Sequence, residues 1–306
     1  MTKRKLSVAG AIAITAIGPV VAQGQIASAD AAGHRQSGPQ ISGQRVFNCG
    51  HSFHFWIAPL LKELALAAGI TNHVTAGVSA IGASSALAHW RVPDEKNQAK
   101  AALRAGTVDV LTLACMAGPD DGISQFAKLA VEHNPNVRVT LQELWLPEDR
   151  FPFDPGRRVR KSLEEYNDAT MADLEKAHAA YFKVMEDYVR ALNAELGKSK
   201  VFIVPDAQAT LALRARIRAG QAPGLKKQSD LFVDAWGHPA VPLKVLSAYC
   251  HFAVIYRRSP IGLPIPSLLA AANNPGWDHQ LNRLLQELAW EAVTHHPLSG
   301  VTGECK

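Results

Sequence analysis

Short apolar runs alternating with stretches whose apolar residues recur at threes and fours constrain this chain more than any other feature. The runs are "RVFNCG" from Arg45, "HVTAGVS" from His73, "VDVLTLAC" from Val108, "VRVTLQELWL" from Val137 and "KVFIVPDA" from Lys200. The helical stretches between and after them are "IAPLLKELALAAG", "NQAKAALRAG", "GISQFAKLAVEHN" and "ATLALRARIRAG". Strands that alternate with helices build βαβ units, and such units make a parallel sheet covered on both faces. The runs are almost continuously apolar, as strands buried on both faces should be. With 47% hydrophobic residues, the 306-residue chain can bury a substantial core.

The alternation begins only at Arg45. Ahead of it, Lys3, Arg4 and Lys5 precede the apolar stretch "LSVAGAIAITAIGPVVA", and small-residue sites end at Ala22 and Ala29. Residues 1–29 therefore read as a cleaved secretory signal, which predicts a secreted or periplasmic protein. Gly10, Gly18 and Pro19 interrupt the stretch, and it is shorter than the ~20 strongly apolar residues of a membrane span. No later segment is a membrane-span candidate. Residues 30–44 are small, polar and aperiodic, and read as a flexible leader to a single domain over 45–306. Loss of the three basic residues lowers the formal charge from +5 to +2, so the basic balance is mostly the signal's. The one dense basic run left, "RRVRK" at 157–161, is a solvated loop pattern, and nucleic acid is not an expected partner.

Residues 146–170, rich in proline and charge, form an insertion longer than ordinary connections. A long helix follows, with Leu174, His178, Tyr181, Met185, Tyr188, Leu192 and Leu196 on one stripe, where His178 reads as a core histidine. Two further helices, "PLKVLSAYCHFAVIYRR" and "HQLNRLLQELAWEAVTHH", end the pattern. Cys49, Cys115, Cys250 and Cys305 lack the close spacings of zinc sites. They fit either one or two disulfides, or, for Cys49 and Cys115 at strand ends, buried thiols.

Ligands of open parallel sheets bind beyond the carboxyl ends of the strands. The residues collected there are Gly50, His51 and Ser52; Gly77, Ser79 and Gly82; Gly118, Asp120 and Asp121; Gln142, Glu143 and Trp145; and, further on, Asp234 and His238. A serine nucleophile needs a base, a carboxylate to hold that base in the right tautomer, and amide donors for the oxyanion. Ser52, His238 and Asp234 supply the first three. A serine after a strand is also an ordinary turn former or helix cap.

"VFNCGHSF" resembles the first block of the SGNH (GDSL-like) hydrolases, where a strand ends in Gly-Asp-Ser or a variant. "DAWGHP" resembles their last block, and "GVSAIGASS" sits where the second block supplies a glycine amide to the oxyanion hole. The resemblance spans roughly residues 45–263. It implies a three-layer α/β/α fold of flavodoxin-like type, with about five parallel strands, and ester hydrolysis through an acyl-enzyme on Ser52, His238 and Asp234. Gly82, and after it Gly77, match the oxyanion glycine. Three departures stand out: His51 replaces the acid of the first block, three residues rather than two separate Asp234 from His238, and "ACMAGPDDG" lacks the Asn of the third block. Gln142 is the candidate substitute donor.

The sequence contains neither the Gly-x-Ser-x-Gly elbow, which argues against Ser79 as nucleophile, nor a phosphate loop or dinucleotide fingerprint. No cofactor is expected. Asp120 and Asp121 read as a cap for the helix near Ile123, with metal ligation as the alternative, while His51 and His54 read as pocket-shaping residues. Trp56, Trp90, Trp145 and Trp236 each follow one of the strand-end segments, which points to aromatic faces for a small-molecule or glycan ester with a short acyl group, such as an O-acetylated sugar. Three functions are therefore expected in competition: an exported SGNH-type esterase, a non-catalytic glycan-binding protein on the same scaffold, and a metal-assisted hydrolase.

Overall fold

The computed structural model describes residues 42–303 apart from positions 115, 117, 155 and 158. The signal reading, most of the leader, Cys115 and Cys305 lie outside the described residues. Along the chain run β1 (Arg45–Gly50), α1 (Ile57–Ala67), β2 (Val74–Ala80), α2 (Ala86–Trp90), α3 (Gln98–Arg104), β3 (Val110–Ala114), α4 (Asp121–His133) and β4 (Arg138–Gln142). Then come α5 (Met171–Glu195), β5 (Val201–Val204), α6 (Asp206–Arg218), α7 (Val241–Tyr256), α8 (Ser267–Ala270) and α9 (His279–His295). No described helix is long and apolar enough to cross a membrane.

The strands form one parallel sheet in the order β2-β1-β3-β4-β5. This is the flavodoxin-like doubly wound order, in which the winding direction reverses between β1 and β3. One face of the sheet carries Phe47, Cys49, Leu111, Leu113, Val139 and Leu141 into a core with α3, α4 and α5. On the other face Val46 and Val110 join a core built by α1, α6, α7 and α9. The result is the three-layer α/β/α arrangement. α7 is buried along almost its whole length, which suits its nearly unbroken apolar sequence.

Burial on both faces holds for β1, β3 and β4 but not for β2, whose Val74 and Val78 are exposed at the sheet edge. The opposite edge is covered, since Ile203 N–H of β5 donates to Leu298 O at 2.9 Å. Gly77 lies in the middle of β2, where a Cβ would stand 2.3 Å from the Phe47 ring. It is thus a packing glycine and not, as expected, a glycine of the cleft. On α5, His178 is a satisfied core histidine: its Nδ1–H donates to Leu174 O at 2.8 Å, and Nε2 accepts Leu146 N–H at 3.3 Å. Val189 rather than Tyr188 completes the buried stripe. Cys49 and Cys250 are buried free thiols.

Candidate functional site

The switch point of this winding places the carboxyl end of β1 at the crevice, and the chain there makes a tight turn before α1. His54 N–H and Phe55 N–H both donate to His51 O, at 2.9 and 3.1 Å. Trp56 Nε1–H donates to Ser52 O at 2.9 Å, so that tryptophan fastens the turn and does not face a ligand. Ser52 sits on the turn, ahead of α1, whose first residue is Ile57. Its hydroxyl is 2.9 Å from His238 Nε2, and His238 Nδ1 is 2.7 Å from Asp234 Oδ2. With the carboxylate accepting from Nδ1–H, Nε2 is left as the acceptor for the Ser52 proton.

The extra residue between Asp234 and His238 is absorbed by a closed turn. Asp234 Oδ1 accepts Trp236 N–H at 3.0 Å and His238 N–H at 3.1 Å, and Val233 N–H donates to His238 O at 2.9 Å. Gly237 takes φ +88°, a left-handed conformation that strains any other residue. Trp145 Nε1–H donates to Gly237 O at 2.9 Å, and its ring stacks on Phe53, which meets the His238 ring edge-on at 4.9 Å. Trp145 therefore holds the turn of Asp234 and His238 against the turn of Ser52 from inside the protein; it is buried and does not present a face to the cleft.

Ser52 and His238 open into a cavity of about 300 Å³, lined otherwise by Phe53, Ala83, Met116, Pro147, Phe153 and Trp236. Of the four expected tryptophans only Trp236 lines it. Trp90 packs edge-on to Phe126, with the Lys100 ammonium 4.2 Å above its ring, in the core beneath α4. A larger cavity, about 770 Å³, lies at the far ends of α1 and α7 among Ala67, Arg257, Arg258 and Trp290. Among the described residues no histidine or carboxylate lines it, so none of them serves Ser259 or Thr302 as a base. Size does not choose the site; chemistry does.

Gly82 lies on the exposed turn after β2, beside the cavity-lining Ala83. The residue held at positive φ there is Ala83, at +50°, a position that neither composition nor spacing singles out. Gln142 does not reach the cleft. Its Nε2 donates to Asp206 Oδ2 at 2.7 Å and to Phe53 O at 3.2 Å, while its Oε1 accepts from His54 Nδ1 at 2.8 Å. Those bonds occupy the whole amide, and the expectation of an oxyanion donor there fails for that reason. Asp120 caps α4, accepting Gly122 N–H at 2.8 Å, as expected, with Asp121 in the first turn. Among the described residues no group of three or more histidine, cysteine or acidic side chains is gathered as a metal site requires.

Contiguous with the Ser52 turn is a sealed polar cluster. Asn48, Thr112 and Thr140 stand in register on one face of β1, β3 and β4, and Gln142 follows two residues on. Against them lie His54, Asp206, Ser247 and His251, all buried. The Ser247 hydroxyl donates to Asp206, and His251 Nε2 is 3.7 Å from the same carboxylate. Burial pushes the Asp206 carboxyl up to about 7, against the pull of the Ser247 and Gln142 hydrogen bonds. Burial also pushes His54 down to about 4, and burial with the neighbouring His54 takes His51 down to about 3. His51 is therefore neutral, with Nδ1 accepting Phe53 N–H at 3.3 Å.

No model of a known protein family matches the chain, and no curated protein matches it. Among solved structures it is similar to a DUF4886 family protein from Bacteroides uniformis, at 15% identity over 85% of this chain and 97% of that one, with a TM-score of 0.54. It is also similar to a chain from Parabacteroides merdae provisionally described as a GDSL-like lipase, at 13% identity over 70% and 97%, with a TM-score of 0.40. At such identities the first likeness speaks for the fold alone, and the second is too loose to carry an argument.

Proposed function

We propose that this chain is a serine hydrolase of SGNH type that cleaves esters through an acyl-enzyme on Ser52. The observation that carries this reading is the continuous chain from Ser52 Oγ to His238 Nε2, 2.9 Å, and from His238 Nδ1 to Asp234, 2.7 Å, at the switch point of the sheet. Ser52 Oγ attacks the ester carbonyl while His238 Nε2 takes its proton. The tetrahedral intermediate collapses as His238 returns that proton to the leaving alcohol. Water, activated by the same imidazole, then adds to the acyl carbonyl and releases the acid and Ser52. Asp234 keeps the imidazole in its working tautomer and offsets the charge it acquires.

Amide N–H groups of Ser52 and Gly82 are the oxyanion donors in this reading, with Ala83 beside them. Among the described residues no side-chain amide joins them, because Gln142 is occupied and "ACMAGPDDG" carries Asp120 instead of Asn. Loss of one such donor costs about 2.7 to 4 kcal/mol in the barrier, so turnover is expected to be slow. The glycan-binding alternative rested on a cleft of stacked tryptophans, and three of the four serve elsewhere. Export is part of the proposal, supported by the basic and apolar composition of residues 1–29.

The test is fluorophosphonate labelling of the purified protein together with p-nitrophenyl ester hydrolysis, beside Ser52→Ala and His238→Ala. Labelling of Ser52 and loss of turnover in both variants, with unchanged circular dichroism, are expected. A folded protein that neither labels nor turns over any ester in the series would overturn the reading.

A further inference from the structure

The insertion between β4 and α5 does more than connect them. Pro147 and Phe153, both from its first part, form one wall of the cavity in front of Ser52, and Phe153 meets Trp236 edge-on at 6.2 Å. We propose that this insertion is a preformed acyl-binding wall, and that the site takes esters of uncharged apolar acyl chains of medium length in preference to acetyl, charged or sugar acyl groups. The proposal rests on the serine-hydrolase reading above.

The lining argues for the chemistry. Apart from Ser52 and His238, the cavity meets the rings of Phe53, Phe153 and Trp236, the Met116 thioether, and the small apolar bodies of Ala83 and Pro147. Among the described residues no carboxylate, ammonium or guanidinium lines it. A charged acyl group would lose its hydration there without a partner, and a sugar would leave its hydroxyls largely unpaired. An apolar chain loses nothing and buries its surface.

The volume argues for the length. About 300 Å³ corresponds to roughly ten heavy atoms at a liquid water's ~30 Å³ apiece, against three for an acetyl group. An acyl chain of about six to eight carbons fills it.

The anchoring argues for a wall already in place. Asp149 takes a buried ion pair from Arg214 on α6 and a second, at 2.7 Å, from Arg160. Arg214 is held in turn by Gln228 at 2.8 Å. The Glu148 carboxylate, wholly buried, accepts the N–H groups of Val159 and Arg160, both at 2.9 Å. Tyr166 OH receives Glu148 N–H and donates to Ala235 O, each at 3.2 Å, which ties the insertion to the turn that carries Asp234 and His238. Glu148 and Asp149 both sit at φ +55°, a conformation these contacts hold in place.

The experiment measures kcat/KM for p-nitrophenyl esters from acetate to decanoate on the full chain, with Phe153→Ala and Phe153→Trp beside it. The unmodified protein should gain up to about fourfold per added methylene, levelling at about six to eight carbons. Phe153→Trp should move the optimum to shorter chains, and Phe153→Ala should lower the hexanoate-to-acetate ratio by about tenfold while phosphonate labelling of Ser52 persists. Labelling of Ser52 with acetate cleaved as well as hexanoate would overturn the acyl wall and leave the serine reading standing. A ratio unmoved by either folded variant would do the same. Absence of both labelling and turnover would overturn both. The profile of the unmodified protein decides the matter even where a variant fails to fold.

Discussion

Two clusters of serine, histidine and aspartate lie within this one domain, and they behave in opposite ways. Ser52, His238 and Asp234 meet at the mouth of a cavity, with the histidine and aspartate side chains 34% and 39% exposed. Ser247, His251 and Asp206 meet inside the protein, between the sheet and α7, with the histidine and aspartate side chains at 0% and 1%. In the open cluster the carboxylate is fixed by two backbone amides and faces the imidazole at hydrogen-bond distance. In the sealed cluster burial suppresses charge on both partners, since it raises Asp206 and lowers His251. The same residue types make an open hydrogen-bonded chain where solvent can enter, and a neutral scaffold where it cannot.

The largest expected difference is in turnover. Ser52→Ala should lower ester hydrolysis by roughly 10³-fold or more, whereas Ser247→Ala should leave phosphonate labelling of Ser52 intact and reduce the urea midpoint. Labelling that follows Ser247 instead would erase the distinction between the clusters. Next in size, Asp234→Asn should reduce kcat by about 10³-fold through loss of the imidazole's preferred tautomer, with little change in KM. A change in KM with kcat untouched would show that Asp234 only shapes the turn.

A smaller contrast lies in the response to pH. Asp206 titrates near 7 in the folded protein and near 3.8 when unfolded, so the unfolded chain loses its proton first and stability falls as pH rises between those values. His51, His54 and His89, pushed by burial to about 3, 4 and 4, act the other way: their stability is full above about 6.5 and is lost as pH falls toward 4. Three such groups outweigh one carboxyl, and acid should unfold the protein. Asp206→Asn removes the opposing slope, so between pH 5 and 7 its urea-derived stability should rise by roughly 2 kcal/mol more than that of the unmodified protein. Equal slopes would place the ionisation of Asp206 elsewhere. The smallest effect is expected from Trp145→Phe, which keeps the stacking on Phe53 but orphans Gly237 O. It should cost about 0.5 to 1.5 kcal/mol by thermal or urea unfolding and lower kcat through the loosened His238 turn.

The sheet and the open cluster were legible because each has a short-range signature. Strand and helix periods are written in residues a few positions apart, Ser52 is a polar residue just past the end of β1, and Asp234 and His238 stand close together in "DAWGHP", the segment that resembles a family block. The sealed cluster had a signature too, in Asn48, Thr112, Thr140 and Gln142 at alternate positions of otherwise apolar strands, but a polar residue in an apolar run reads as an interruption until neighbouring strands are known. The tryptophans misled because following a strand says nothing of direction: Trp145 turns inward to Gly237 O, and Trp90 turns under α4. Phe153 had no signal, since its place depends on the ion pairs between Asp149, Arg160 and Arg214, and the pairing of Asp149 with Arg214 spans 65 positions of chain.

The contact between Ser52 and His238 joins residues 186 positions apart. A link of that span closes only after the intervening strands and helices have found one another, because loop-closure entropy opposes it until they do. If the proposed serine mechanism holds, reactivity toward phosphonate is a clock for the end of folding: in a refolding chain the helical signal should return first, and labelling of Ser52 only when the last long loop is drawn shut.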